Sequence, residues 1–128
     1  MIITVKSYHR YIEGYVHSVG FLYGLTPREG MVATIMVKKY LKFEKLREQM
    51  KFQKTKDEFN AFEMVKQKDA VSEMINELDM DITVFRTYVK RIRDKGFIKR
   101  GMINKDFIPN PVESKITFKY DRAFEETK

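Results

Sequence analysis

Between Asp69 and Lys95 the apolar residues fall into two short helical stripes interrupted by Asp79-Met80-Asp81, and this pairing limits the fold more than any other feature of the chain. Val71, Met74, Ile75 and Leu78 recur at spacings of three and four, so they share one face of a helix of about three turns. Asp69 stands where an N-cap is expected. The acidic break then gives way to a second stripe, Ile82, Phe85, Val89 and Ile92, within a helix expected to run from Ile82 to Lys95 and to stop at Gly96. Two short helices joined by a turn of a few residues form a helix-turn-helix.

The opposite face of the second helix carries Thr83, Arg86, Thr87, Lys90 and Arg91, all clear of the apolar stripe. An α-helix fits the major groove of DNA, where arginine, lysine and threonine reach phosphates and base edges and arginine pairs bidentately with guanine. A solvated basic face is the competing reading, because exposed helices commonly carry lysine and arginine. Glu77, Asp79 and Asp81 lack the ligand series of a calcium loop, so their expected work is capping.

Upstream, Ile2, Ile3 and Val5 lean towards β structure. Tyr8, Tyr11, Ile12, Tyr15, Val16, Val19, Leu22 and Tyr23 then mark one helical face, with Gly24 as its stop. That stripe either packs on the rest of the domain or forms a dimer seam. Thr26-Pro27-Arg28-Glu29 is a strong helix start, combining an N-cap threonine, a proline at the first helical position and a glutamate able to close a capping box. Met31, Val32, Ile35, Met36, Lys39, Tyr40 and Phe43 extend this second helix through Lys38-Lys39-Tyr40-Leu41-Lys42, as far as Met50.

In the stretch Lys51 to Lys68, Lys54 to Asp57 reads as a polar loop, and Phe59, Phe62 and Val65 fit either a short helix or an edge strand, of which a short strand at Phe62 to Val65 is the expectation. After Gly96 the expectation is a hairpin. Its first strand is Phe97 to Lys99, its tip holds Arg100, Gly101, Asn104 and Lys105, and an irregular Ile108-Pro109-Asn110-Pro111 leads to an alternating strand, Lys115 to Tyr120. Arg100 and Lys105 would lie near a DNA backbone or minor groove, or else in a solvated turn. Residues 121–128 read as a frayed tail.

The run Asp69 to Arg100, above all Val84 to Ile98 with its Asp94-Lys95-Gly96-Phe97-Ile98 ending, resembles winged helix-turn-helix DNA-binding proteins of the phage or plasmid regulator and replication type. The resemblance implies a mainly α fold with a small β-wing, 26–120 forming the winged unit and 1–24 an additional N-terminal helix within one domain. In its terms, the helix from Thr26 is the first of the motif, the segment near Phe62 to Val65 its short strand, and Phe97 to Tyr120 the wing. It also implies double-stranded DNA as partner, no enzyme activity, no cofactor, and DNA contacts from Thr83, Arg86, Thr87, Lys90, Arg91, Arg100 and Lys105. A possible homodimer would read two half-sites. The other function open to this pattern is a structural or assembly subunit, of a virion or a polymerase complex, that uses the same fold for protein contact.

Composition agrees with an anionic partner, since the formal charge is +7 over 128 residues and the pI about 9.5. The charge is segregated into basic Lys38 to Lys56 and Arg86 to Lys105, flanking a mostly acidic Asp57 to Asp81. The absence of cysteine excludes disulfides, thiolate metal sites and a cysteine nucleophile. The glycines are scattered and form no phosphate-cradling loop. His9 and His17, the two histidines, stand two helical turns apart, too far to share a metal without other ligands. No membrane span or export signal is legible, so the expected location is the cytoplasm, that of a host if the protein is phage-encoded.

Overall fold

In the computed structural model residues 2–5, 8–49, 61–109 and 117–120 are described. Among them are five α-helices: α1 (Tyr8–Leu22), α2 (Pro27–Gln49), α3 (Ala61–Val65), α4 (Lys68–Leu78) and α5 (Ile82–Asp94). After α5 come β2 (Ile98–Lys99) and β3 (Met102–Ile103), paired antiparallel, and a 3-10 turn, Lys105–Phe107. β1 (Ile2–Val5) pairs in parallel with β4 (Thr117–Tyr120), Ile2 opposite Thr117 and Val5 opposite Tyr120.

The centre of the molecule is α2. It packs on α1, α3, α4 and α5, and every residue from Val32 to Val37 is buried. A helix enclosed on all sides cannot be amphipathic there, which is why Ala33, Thr34 and Val37 join the core although they lie off the expected stripe, while Met31 on that stripe is half exposed. Thr34 is tolerated because its hydroxyl donates to the Gly30 carbonyl at 2.7 Å. Gly30 lets α1 approach: a Cβ there would lie 2.6 Å from His17 Nδ1. The tyrosine stripe of α1 is part of this core, with Tyr11, Ile12, Tyr15, Val16 and Val19 buried, and is not free to form a seam.

Three of the helices end in one way. In α1 the Leu25 N–H donates to the Gly20 carbonyl and the Gly24 N–H to Phe21, with Gly24 at φ 79°. In α5 the Phe97 N–H donates to Ile92 and the Gly96 N–H to Arg93, with Gly96 at φ 107°. In α4 the Met80 N–H donates to Ile75 and the Asp79 N–H to Asn76, Asp79 taking the left-handed place at φ 52°. These are Schellman closures, in which one left-handed residue satisfies the last carbonyls and turns the chain within two residues. Phe97 and Ile92, clasped by the closure of α5, are both fully buried.

The start of α2 forms the expected capping box: Glu29 N–H donates to Thr26 Oγ1 at 3.2 Å and Thr26 N–H to Glu29 Oε1 at 2.9 Å. Glu29 is buried, and the Lys95 ammonium reaches it from the end of α5 at 2.5 Å while also donating to the Gly24 carbonyl at 3.0 Å. One cation therefore ties together the ends of α1 and α5 and the beginning of α2. Beside it, Asn104 Nδ2 donates to the Tyr23 hydroxyl and to the Gly96 carbonyl. Phe107 packs between Tyr23 and Phe97, at ring separations of 5.1 and 4.9 Å.

Three expectations are corrected. Ala61–Val65 is helical, not a strand. Phe62 and Val65 are both buried, and a spacing of three puts two side chains on one face of a helix but on opposite faces of a strand. α4 begins at Lys68 with Gln67 at the cap position, so Asp69 stands in the first turn, where its charge suits the helix dipole but caps nothing. The hairpin is also much shorter than expected: β2 closes on β3 through Arg100-Gly101, both at positive φ (55° and 72°), the backbone of a type I′ turn. Thr117–Tyr120 pairs instead with β1, and Asn104, expected in the tip, is buried. The expected tail, 121–128, lies outside the described residues, as do 110–116 and most of the expected loop, 51–60.

Two outcomes follow from the Lys95 junction. An added Cβ at Gly96 would press the Tyr23 ring at 3.1 Å, whereas one at Gly24 meets nothing within 4 Å, and both residues have positive φ. Gly24→Ala should therefore cost about 1 kcal/mol and Gly96→Ala at least about 2 kcal/mol in urea unfolding. For Glu29, burial pulls the pKa upward, but the Lys95 ammonium and the Thr26 N–H and hydroxyl outweigh it and hold the carboxyl below its ordinary value of 4.5. A carboxylate with a lowered folded pKa stabilises the fold above its unfolded value, and the contribution fades as pH falls through the folded one. Glu29→Gln should thus lower the urea midpoint at about pH 7, and the gap to the parent should narrow on acidification to about pH 3.

Candidate nucleic-acid interface

α5 is positioned by its two ends. Asp81 caps the first turn, its carboxylate accepting the Thr83 N–H at 3.3 Å, and Lys95 and Gly96 fix the last. Between them Phe85 and Ile92 are buried, with Ile82, Tyr88 and Val89 half-buried beside them. The remaining arc is exposed and holds Thr83, Arg86, Thr87, Lys90 and Arg91, as the sequence pattern indicates, and the exposed carboxylate of Asp94 falls within it at the C-terminal end. At about 100° per residue, these five span some 140° of the helix surface opposite the core.

The arc is not uniform. Arg86 and Lys90 lie on the side facing α4, and Arg93 extends their row seven residues on from Arg86. Arg91 lies on the other side, its guanidinium over the Tyr88 ring at 5.6 Å. Thr83 and Thr87 occupy the middle, and the Thr87 hydroxyl donates back to the Thr83 carbonyl at 3.0 Å, which leaves its lone pairs outward as acceptors. Arg93 is exposed and was missed by the sequence reading, although its spacing of three from Lys90 and seven from Arg86 is the signal that finds it. Its nearest carboxylate is Asp94, 3.9 Å away.

Arg100 and Lys105 are exposed and line a different hollow from Arg86 and Lys90. With Lys99 they border a hollow of about 730 Å³ that reaches Tyr40 on α2, and no hydrogen bond or ion pair joins them to the α5 arc among the described residues. Lys105 opens the 3-10 turn and does not sit in the hairpin tip, which is Arg100-Gly101.

Each basic stretch holds some cations in pairs, Lys95 with Glu29 among them, and leaves others exposed, such as Lys42 and Lys45. On α2, Lys38 pairs with Glu13 at 3.0 Å and also meets His9, and Lys39 pairs with Glu73. The Lys38 bond holds Glu13 below its ordinary pKa, more strongly than burial raises it. On α5, Arg86 and Lys90 have no ion-pair partner among the described residues. His9 and His17 both border the hollow that Lys38 fills, and no group of three or more metal-ligating side chains is present among the described residues. Nor is any described helix long and apolar enough to cross a membrane.

The described elements define a mainly α protein with five helices and a small antiparallel hairpin after the last. No family model matches the sequence, and neither a curated protein nor a solved structure matches the chain.

Asp81→Ala removes the cap of α5 and should cost about 1 kcal/mol in thermal or urea unfolding. Hydrogen exchange should become faster first at Thr83 and Val84, the amides nearest the lost acceptor.

Proposed function

We propose that this chain is a winged helix-turn-helix protein that binds double-stranded DNA, with α4 and α5 as the helix pair, α5 as the recognition helix and β2–β3 as a minimal wing. Its work would be transcription or replication control in the cytoplasm, without catalysis or cofactor. The observation that carries the reading is the pairing of charge: Lys38 and Lys39 of α2 are held by Glu13 and Glu73, while Arg86 and Lys90 stand exposed on a capped helix with no ion-pair partner among the described residues. Uncompensated cations on a rigid helical face are what a phosphate backbone rewards, and a helix presents them at groove scale. Thr83, Thr87 and Arg91 share the face, and Arg93 joins it.

Arg100 and Lys105 take a supporting role in this reading, as backbone contacts from the wing side. A symmetric pair of molecules on two half-sites remains part of the proposal, but its seam cannot be the buried tyrosine stripe. Phe21, exposed at 80%, with Leu22 and Met31, supplies the apolar surface available near the α1–α2 turn. The second reading, a structural or assembly subunit, draws support from a hollow between α4 and α5 floored by Val71, Ile75 and Val89.

Selection from a random duplex pool should yield a preferred sequence, and affinity for it should fall steeply with salt. Arg86→Ala and Lys90→Ala should each weaken that binding by roughly five- to hundredfold, the range of about 1–3 kcal/mol per contact, with the melting midpoint nearly unchanged. Duplex binding equal to the parent's in both variants removes α5 from the role of recognition helix.

A further inference from the structure

A groove of about 650 Å³ runs between α5 and the α3–α4 corner. Its floor is aliphatic and aromatic: Phe85, Met36 and Met74 lie buried at the bottom, and Val71, Ile75, Ile82 and Val89 are left half-buried along it. Both walls are basic. Arg86, Lys90 and Arg93 form a row along α5 at spacings of four and three, about 10 Å long. Lys66 and Lys68 stand on the facing wall, Lys66 held towards Glu63 at 2.7 Å and lying over the Phe62 ring. Among the described residues no carboxylate lines the groove itself, and Glu63 stands just outside it against Lys66.

From this arrangement we infer that the groove receives an amphipathic helix of a partner protein, its apolar stripe laid on the Val71–Ile75–Val89 floor and its flanking acidic side chains meeting the cations of both walls. Three occupants can be weighed against the charge and the floor. A duplex would engage the row on α5 but leave the half-buried aliphatic side chains uncovered, since its phosphates offer them nothing. A single-headed anion such as a fatty acid would cover the floor but satisfy only one wall. A helix with glutamates on either side of an i, i+3, i+4, i+7 apolar stripe answers both features together, and helix-in-groove binding reads such anchors. Salt bridges at the rim would set register and on-rate, and the apolar anchors would set residence time. The inference shares Arg86, Lys90 and Arg93 with the DNA reading but does not depend on it.

The probe is a capped, fluorescein-labelled peptide of about four helical turns with leucines on that stripe and glutamates beside it. Its control has the same composition with the stripe scrambled. Anisotropy titration against the full chain should show saturable binding of the striped peptide at least tenfold tighter than of the control. Ser72→Trp places an indole over the groove from an exposed position on α4 outside the proposed DNA contacts, and should weaken the striped peptide at least tenfold with an unchanged melting midpoint and unchanged duplex binding. Lys66→Glu with Arg93→Glu should do the same to the peptide without entering the core. Equal binding of striped and scrambled peptides would mean an undirected polyanion surface and overturn the inference. So would full binding by folded Ser72→Trp, or saturation of the groove by palmitate where the striped peptide fails to bind.

Discussion

The contact on which the rest of the structure depends is the ammonium of Lys95 between the Glu29 carboxylate and the Gly24 carbonyl. Glu29 is buried, and a buried carboxylate persists only when charge and hydrogen bonds repay its lost hydration. Thr26 supplies the hydrogen bonds through the capping box and Lys95 supplies the charge. The same three residues also set geometry: α1 ends, α2 begins and α5 ends around one cation, so the angle at which α5 leaves the core is fixed at its C-terminus. Asp81 fixes the other end. The outward face of α5 is thus held by groups that take no part in that face.

The hairpin joins the same junction. Asn104 is buried, its amide donating to Tyr23 and to Gly96 and its carbonyl accepting the Asp106 N–H at 3.0 Å. The Tyr23 hydroxyl in turn donates to the Asp106 carboxylate, and that bond, with burial adding to it, raises the phenol above its ordinary pKa. Polar groups taken out of water are each given partners, and Phe107 seals the site by packing on Phe97 and Tyr23. Short as β2 and β3 are, the hairpin is anchored through side chains that follow it.

What the sequence discloses here is local, and what it conceals is tertiary. The Thr26–Glu29 box, the Gly24 and Gly96 stops, the faces of α4 and α5 and the Asp81 cap are decided within four or five residues, and all are found as the pattern indicates. The exposed set on α5 is legible for the same reason. The partner of β4 is not: Thr117–Tyr120 alternates as a half-buried strand should, but alternation names no neighbour, and the nearest preceding strand was the natural choice. Phe62 and Val65 fit a short helix or strand until α2 is seen beside them. The role of Lys95 was hidden too, because a lysine at a helix end reads as dipole compensation and its carboxylate lies 66 positions away.

The parallel pairing of β1 with β4 has a kinetic meaning. Ile2 and Thr117 meet across almost the whole chain, whereas the helix closures and the β2–β3 turn join neighbours. The entropy of closing so long a loop must be met before its backbone bonds give any return, so this pair belongs to the last stage of folding, after the helices have docked. During synthesis the helices α1 to α5 can dock while β1 still waits for β4, which is made later. During that interval β1 is an unpaired edge, and its brevity, four residues with a polar Thr4 among them, limits how readily it recruits the wrong one.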